Sequence, residues 1–280
     1  MGIGQPIVSE IAWRTWCIDE FGMDTLFLLE GSEKALLIDT GTGLFNIPEL
    51  VGKLTQKPLM VAATHGHVDH VGGMDQFDQV YMHPDDFGIA RAVTPAERSG
   101  YAAMMLEISG GMYDIKPDDI IIPEKQAELL PLKEGDIIRL GGRDIAVFET
   151  PGHTEGGLSF IDAKERILFS GDACNVNTLL ALSGVKESGK TTVSALRNTA
   201  EKLERLHPFY DRNYNGHIGY AAMKNCLPMP DSISRDCIEL CTRILDGREK
   251  GEEVKDAFSG TCLAASYGAC RIVYLPGQVS

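Results

Sequence analysis

The sequence predicts an α/β protein, and three observations carry that prediction. The first forty residues show strand patterns, a second strand-rich block begins near residue 136, and two amphipathic helical stretches follow it. Residues 11–18 alternate apolar and polar, and residues 25–30 and 35–39 continue the pattern between turn residues Gly22, Gly31 and Ser32, so a meander is expected. Residues 48–54 read as a short helix. Residues 59–63 form an apolar run of strand length that opens onto THGHVDHVGG. The second block places strands at 136–140, 143–150, 157–161 and 167–170, each punctuated by glycine or an acidic turn. Val193, Leu196, Ala200, Leu203 and Leu206 recur at helical spacing over 191–206, and residues 232–245 repeat that kind of pattern. Residues 84–130 break the rhythm. They are rich in Met, Gly, Pro and Asp, with a weak helical pattern around 95–108, and are expected to form a cap or insertion. With no fixed-period repeat and no Ser/Gly-rich or Pro-rich linker, residues 1–280 are expected to be a single domain.

Composition narrows the function. Hydrophobic residues at 44% and charged residues at 24% are ordinary for a globular chain and argue against disorder. Twenty-six basic against forty acidic residues give a net charge of −14, which disfavours nucleic acid as a partner. No apolar run reaches the roughly 18 residues of a membrane span, and the opening MGIGQPIVSEIAW lacks the features of a signal peptide. A soluble, cytoplasmic protein with a small-molecule substrate and no membrane partner is expected; the oligomeric state is left open. The seven cysteines contain no CxxC pair, which speaks against a disulfide framework or a zinc ribbon. Most are expected to be buried thiols, Cys237 and Cys241 included despite their i, i+4 spacing.

The chemistry concentrates in His65-Gly66-His67-Val68-Asp69-His70, directly after an apolar strand. Three imidazoles and a carboxylate within six residues have no structural requirement, whereas zinc and similar ions are held by such ligands at about 2.0–2.2 Å. In extended backbone His65 and His67 point to the same side and suit one ion. Asp69 and His70, past the turn, face a second. Two ions need more ligands, and the chain supplies His153 and Asp172 directly after strands and His217 in NGHIG, each with a glycine immediately before it. Two ions about 3.5–4 Å apart lower the pKa of a shared water and polarise a substrate oxygen, so hydrolysis is the expected reaction.

The series HxHxDH, TPGHT, GD and GH, spanning residues from about Asp39 to His217, resembles the metallo-beta-lactamase superfamily. The resemblance implies an αβ/βα four-layer sandwich with two mixed sheets, outer helices and metals at one edge. It assigns His65, His67 and His153 to a first metal and Asp69, His70 and His217 to a second, with Asp172 bridging. Asp69 and Asp172 become the catalytic carboxylates, and Asp39 a hydrogen-bonding support beneath the metal loop. Two Zn2+ are implied, with Fe or Mn as alternatives.

True beta-lactamases resemble this pattern but carry cysteine, or no bridging acid, where Asp172 stands, and flavodiiron proteins have glutamate where His67 stands. The glyoxalase II, lactonase and phosphodiesterase branches fit better, and a thioester, lactone or related small ester is the leading substrate expectation. The similar lactonases use a tyrosine just after the bridging aspartate, whereas this chain has Cys174-Asn175-Val176-Asn177. Asn175 and Asn177 are candidate oxyanion donors, and Cys174 a pocket-lining residue. Tyr113 and Tyr220 are further candidate contacts, Met104, Met105 and Met112 are expected to pack the cap, and His83 and His207 are read as structural. A mononuclear iron sulfur dioxygenase, holding its metal through His65, His153 and Asp172, is an alternative on the same scaffold. Residues 184–191, GVKESGKT, fit the P-loop pattern, but no later strand ends in an aspartate suited to magnesium, so nucleotide binding is disfavoured.

Overall fold

A computed structural model describes residues 2–180, 189–218, 226–256 and 260–280. The first sheet has seven strands in sequence order, β1 (Ile7–Ala12), β2 (Thr15–Glu20), β3 (Asp24–Glu30), β4 (Ala35–Ile38), β5 (Leu59–Ala62), β6 (Gln79–Met82) and β7 (Glu128–Pro131). It is antiparallel through β4 and parallel from β4 to β7. A five-stranded sheet follows, built from β8 (Ile137–Arg139), β9 (Asp144–Glu149), β10 (Leu158–Asp162), β11 (Ile167–Gly171) and β13 (Arg212–Asn215). A four-stranded sheet holds β12 (Thr178–Leu179), β14 (Glu252–Asp256), β15 (Gly260–Tyr267) and β16 (Cys270–Tyr274). Among the described residues, the layer expected to be one second sheet is therefore two separately paired sheets. The helices are α1 (Ile47–Leu54), α2 (Val68–Val71), α3 (Phe87–Ala92), α4 (Pro95–Ile108), α5 (Val193–Leu206) and α6 (Ile233–Leu245). None among the described residues is long and apolar enough to cross a membrane.

The layering follows from period-2 patterning with both faces apolar. Phe27, Leu29, Leu36 and Ile38 point inward, where they share one core with Val147, Phe160 and Phe169 of the second sheet and Ile272 of the third. Their neighbours Leu26, Leu28, Ala35 and Leu37 point outward against Ile47 and Val51 of α1. On the far side Val193, Leu196, Ala200 and Leu203 of α5 and Cys237, Leu240 and Cys241 of α6 join the inner core, as their spacing predicted. All seven cysteines are buried free thiols.

Two sequence expectations change. The alternating stretch at residues 11–18 is not one strand: the chain reverses at Trp13-Arg14, pairing Ala12 with Thr15, and Arg14 takes φ 46°. The turn contains no Gly, Pro or Asn, so the alternation runs through it without a visible break. The segment 84–130 contains the expected helix, α4, but its last residues belong to β7 and complete the first sheet.

Two buried charges tie the framework together. Arg143, 1% exposed, donates from Nε to Asp162 at 2.8 Å in the second sheet. Its other nitrogens donate to the carbonyls of Arg14 (3.0 Å) and Glu30 (3.1 Å) and to Thr15 Oγ1 (2.6 Å) in the first. Glu20, at the end of β2, accepts from the backbone N–H groups of Thr42, Gly43 and Leu44 and so fixes the loop after β4. Burial pushes the Glu20 carboxyl up to about 7, against the pull of those donors.

Arg143→Ala should lower the unfolding free energy by about 3–5 kcal/mol, because it leaves Asp162 buried without its partner. Arg143→Lys should recover only part, since one ammonium cannot reach acceptors on both sheets; denaturant midpoints measure both. For Glu20 the folded pKa lies above the ordinary 4.5, so its proton-linked contribution is full below about pH 4.5 and is lost as pH rises through about 7. Glu20→Gln should therefore flatten the fall in stability between pH 4.5 and 7, read from urea midpoints across that range.

Candidate metal centre

The parallel pairs of strands put the chemistry at one edge. β4 and β5 are parallel, so Asp39 and the His65 loop leave the first sheet on the same side; β11 and β13 are parallel, so Asp172 and His217 leave the second sheet together. Backbone bonds then join the two edges: Leu158 N–H donates to Thr64 O at 2.7 Å, and Thr25 N–H to Gly216 O at 2.7 Å. This close approach explains two glycines. A Cβ on Gly171, at φ 51°, would lie 2.6 Å from Thr64 Cβ, and one on Gly216 would lie 2.5 Å from His70 Cε1.

The seven predicted ligand-type residues converge there. Ligand-type atoms of His65, His67 and His153 lie within 4.8 Å of one another, and so do those of Asp69, His70 and His217. His67 Nδ1 is 2.9 Å from His153 Nε2. Asp172 stands between the sets, with Oδ2 3.6 Å from His153 Nε2 and 3.0 Å from His217 Nε2, and Oδ1 3.8 Å from His70 Nε2.

Hydrogen bonds on the outer nitrogens orient the rings. His153 donates from Nδ1 to Leu179 O (2.6 Å), His217 from Nδ1 to Met23 O (3.0 Å), and His70 from Nδ1 to Asp39 Oδ2 (2.9 Å). Asp39 is held in turn by the Thr64 N–H (2.7 Å) and hydroxyl (2.9 Å). The inner atoms are left over: His65 Nε2, His70 Nε2 and Asp172 Oδ1 are buried without a hydrogen-bond partner. Buried polar atoms are normally satisfied, and a convergent set of bare imidazole nitrogens and carboxylate oxygens fits divalent cations with N/O preference.

Electrostatics separates the two sets. Burial holds His65 well below the ordinary imidazole range and lowers His67 to about 3, so both rings are neutral and ready to ligate. Around His217 burial is outweighed by Asp172 and Asp69, which raise it to about 9, and around His70 it is outweighed by Asp24, Asp69 and Asp39. Asp172 resists its own burial and sits well below the carboxylate range because His217 faces it.

Three contributors were not singled out in the sequence. Asp86 accepts from Gly66 N (3.0 Å) and Gly156 N (2.7 Å), anchoring the His65–His67 loop and the loop after His153 to one carboxylate. Tyr101 of α4 donates to Asp69 Oδ2 at 2.8 Å. Asp24, 1% exposed, points Oδ1 to within 3.6 Å of His70 Nδ1, and neither of its oxygens has a hydrogen-bond partner. None of the three lies in a motif, so composition gave no signal.

The candidate substrate contacts are placed differently. Asn175 accepts from Asn177 N within its own turn, and Asn177 pairs with Arg271. Tyr113 is buried edge-on against Phe21 and donates to Asp19 at 3.2 Å. Cys174 lies in the inner core, Met105 packs from α4 against Phe21 and Met23, Met112 is exposed, and Tyr220 lies outside the described residues. His83 is bonded to Glu149 (3.1 Å) and His207 ends α5, in keeping with structural roles. Of the P-loop-like segment, residues 184–188 lie outside the described residues, and Lys190 pairs with Asp85.

Asp86→Ala should weaken divalent-ion binding at the His65, His67 and His153 set about 10–100-fold, since both loops lose their common anchor. Asp86→Asn, which keeps one acceptor, should fall between; zinc competition against a chromophoric chelator checks the order.

A family model described as the metallo-beta-lactamase superfamily matches residues 21–215. The acyl-coenzyme A thioesterase MBLAC2 of Gallus gallus is 31% identical over 192 residues, covering 60% of this chain and 64% of that protein. The hydroxyacylglutathione hydrolase GloC of Haemophilus influenzae is 24% identical over 155 residues, covering 55% and 68%. The match to the human MBLAC2 protein reaches 60% of its length, so the chain spans less than two thirds of these thioesterases. Among solved structures, the sec-alkylsulfatase Pisa1 from Pseudomonas sp. superposes with TM-score 0.61 at 15% identity, over 87% of this chain and 42% of that one. A metallo-beta-lactamase from Pontibacter korlensis superposes with TM-score 0.52 at 17% identity, over 84% and 98%. The mixed sheets with outer helices, the His/Asp sets at one edge and the extent of the family match lead to one conclusion: this chain belongs to the metallo-beta-lactamase superfamily.

Proposed function

We propose that the chain is a dinuclear metal-dependent hydrolase of ester-like bonds, with a thioester as the leading substrate class. In this reading His65, His67 and His153 hold the first ion, Asp69, His70 and His217 the second, and Asp172 bridges. The observation that carries it is Asp172 itself, whose two oxygens face imidazoles of both sets. Residues 1–280 are read as one domain in which the stretch from 84 up to β7 is an inserted cap and β7 itself belongs to the first sheet. Zinc suits the imidazole and carboxylate donors, with iron and manganese as alternatives.

Two bound ions supply a nucleophile from water near neutral pH and a Lewis acid for the carbonyl. The chain's own part is to hold the donors in place. Asp39 and Thr64 fix the His70 ring, Leu179 O fixes His153 and Met23 O fixes His217, so that bare nitrogens face inward before substrate arrives. Asp172 places negative charge between the two positions and offsets the repulsion between two cations.

Relatives named for hydrolysis of acyl-coenzyme A and hydroxyacylglutathione, both thioesters, support the substrate class. The net charge of −14 opposes a polyanionic leaving group, which favours the less charged thioesters. The second set of donors favours this reading over a mononuclear iron oxygenase.

Metal analysis followed by a panel of thioesters, lactones and phosphodiesters tests the reading. Two zinc ions per chain with thioester turnover support it; one iron with oxygen consumption, or turnover confined to phosphodiesters, would sink it. Asp172→Ala should keep the folded circular dichroism spectrum, lose metal chiefly at the second position, and lower turnover by orders of magnitude. Near full activity with both metals bound would make Asp172 an ordinary turn residue.

A further inference from the structure

We infer that Tyr101 is a positioning residue for the second metal ion, its hydroxyl holding the Asp69 oxygen that faces that position, so that the 84–130 segment is part of the metal centre. The inference rests on the dinuclear reading.

The Tyr101 hydroxyl lies 2.8 Å from Asp69 Oδ2, and the same oxygen lies 3.6 Å from His217 Nε2 and 3.9 Å from His70 Nε2. One carboxylate oxygen therefore meets both the tyrosine and the two imidazoles of the second set. Asp69 sits in the first turn of α2, a helix of only four residues that offers its side chain little restraint. The hydrogen bond from Tyr101 selects the rotamer in which Oδ2 faces the imidazoles.

A positioning group must itself be held, and α4 is. Thr94 and Glu97 form a reciprocal capping box at its start, with Pro95 in the first turn. Arg98, one turn before Tyr101 on the same face, is buried and donates from Nε to Thr42 O (2.8 Å) and from Nη2 to Gly43 O (3.2 Å) and Ile121 O (2.9 Å). Ala102 and Met105 pack with Phe21, Met23 and Leu44, which belong to the first sheet's turns and loops. The guanidinium and the apolar contacts hold α4 against the loops beneath it. Met23 links both ends of the arrangement, since its carbonyl accepts from His217 at 3.0 Å and lies 3.4 Å from the Tyr101 hydroxyl. The Tyr101 bond reaches a member of the second set of donors. Loss of the hydroxyl is therefore expected to act on one ion and spare the other.

The test loads the full chain and its Tyr101→Phe variant with two equivalents of zinc and competes them against graded chelator, counting zinc retained per chain. Phenylalanine keeps the ring and its packing; Tyr210→Phe, which removes a buried hydroxyl bonded to Leu203 O of α5, serves as the control. The expected result is that Tyr101→Phe gives up one equivalent about 10–100-fold more readily than the parent and holds the other unchanged. Turnover should fall in proportion to the lost equivalent and recover at excess zinc, with KM little altered; a merely structural role would not produce that recovery. Two equivalents retained as in the parent, or both lost in parallel, overturns the inference while leaving the dinuclear reading intact. A parent chain that binds a single equivalent overturns the dinuclear reading and this inference with it.

Discussion

Four carboxylates, those of Asp24, Asp39, Asp69 and Asp172, are buried around one imidazole, that of His70, and the structure depends on compensating their charge. An isolated buried carboxylate costs several kcal/mol, and several together cost more unless positive charge lies within a few ångströms. Without ions His70 and His217 provide it, which is why both are raised against their burial. Divalent cations held there would provide it more completely. The fitness of the site for metal is in this sense a property of the acidic residues as much as of the histidines.

That charge balance requires the two sheet edges to meet closely, and the backbone is arranged for it. Gly171 and Gly216 occupy positions where a side chain would collide with Thr64 and His70. Asp86 binds one loop from each side of the centre, and Arg143 binds the sheets to each other some distance from it. The orienting bonds on His70, His153 and His217 come from Asp39, Leu179 and Met23, on three different connections. The geometry of the ions' surroundings is thus distributed over the whole fold.

Much of this was legible in the order of residues. Most of the ligand-type histidines and aspartates stand after apolar strands, and metal chemistry leaves few other uses for such a cluster; the αβ/βα arrangement was implied by the family resemblance that these motifs carry. What escaped was whatever depends on residues far apart in sequence. Asp86 looks no different from Asp85 beside it, yet one anchors two loops and the other pairs with an exposed lysine. Tyr101 lies in a helix with a weak amphipathic pattern, because one face serves Asp69 and buried carbonyls through polar groups. Asn175 and Asn177 looked like oxyanion donors by position, but the sequence could not show that the side-chain oxygen of one accepts within its own turn and that of the other accepts from the distant Arg271. The Trp13-Arg14 reversal was invisible since neither residue type marks turns.

The Arg143 contact also bears on the order in which the protein is made. Its acceptors at Arg14, Thr15 and Glu30 emerge from the ribosome early, the arginine follows more than a hundred residues later, and its counterion Asp162 later still. Until that point the first sheet presents an apolar inner face, including Phe27, Leu29, Leu36 and Ile38, with nothing to cover it. A nascent chain at this stage is exposed to self-association for the seconds that translation of the remainder takes, at about 5–20 residues per second. The N-terminal half is therefore expected to need a chaperone during synthesis rather than to fold as it appears.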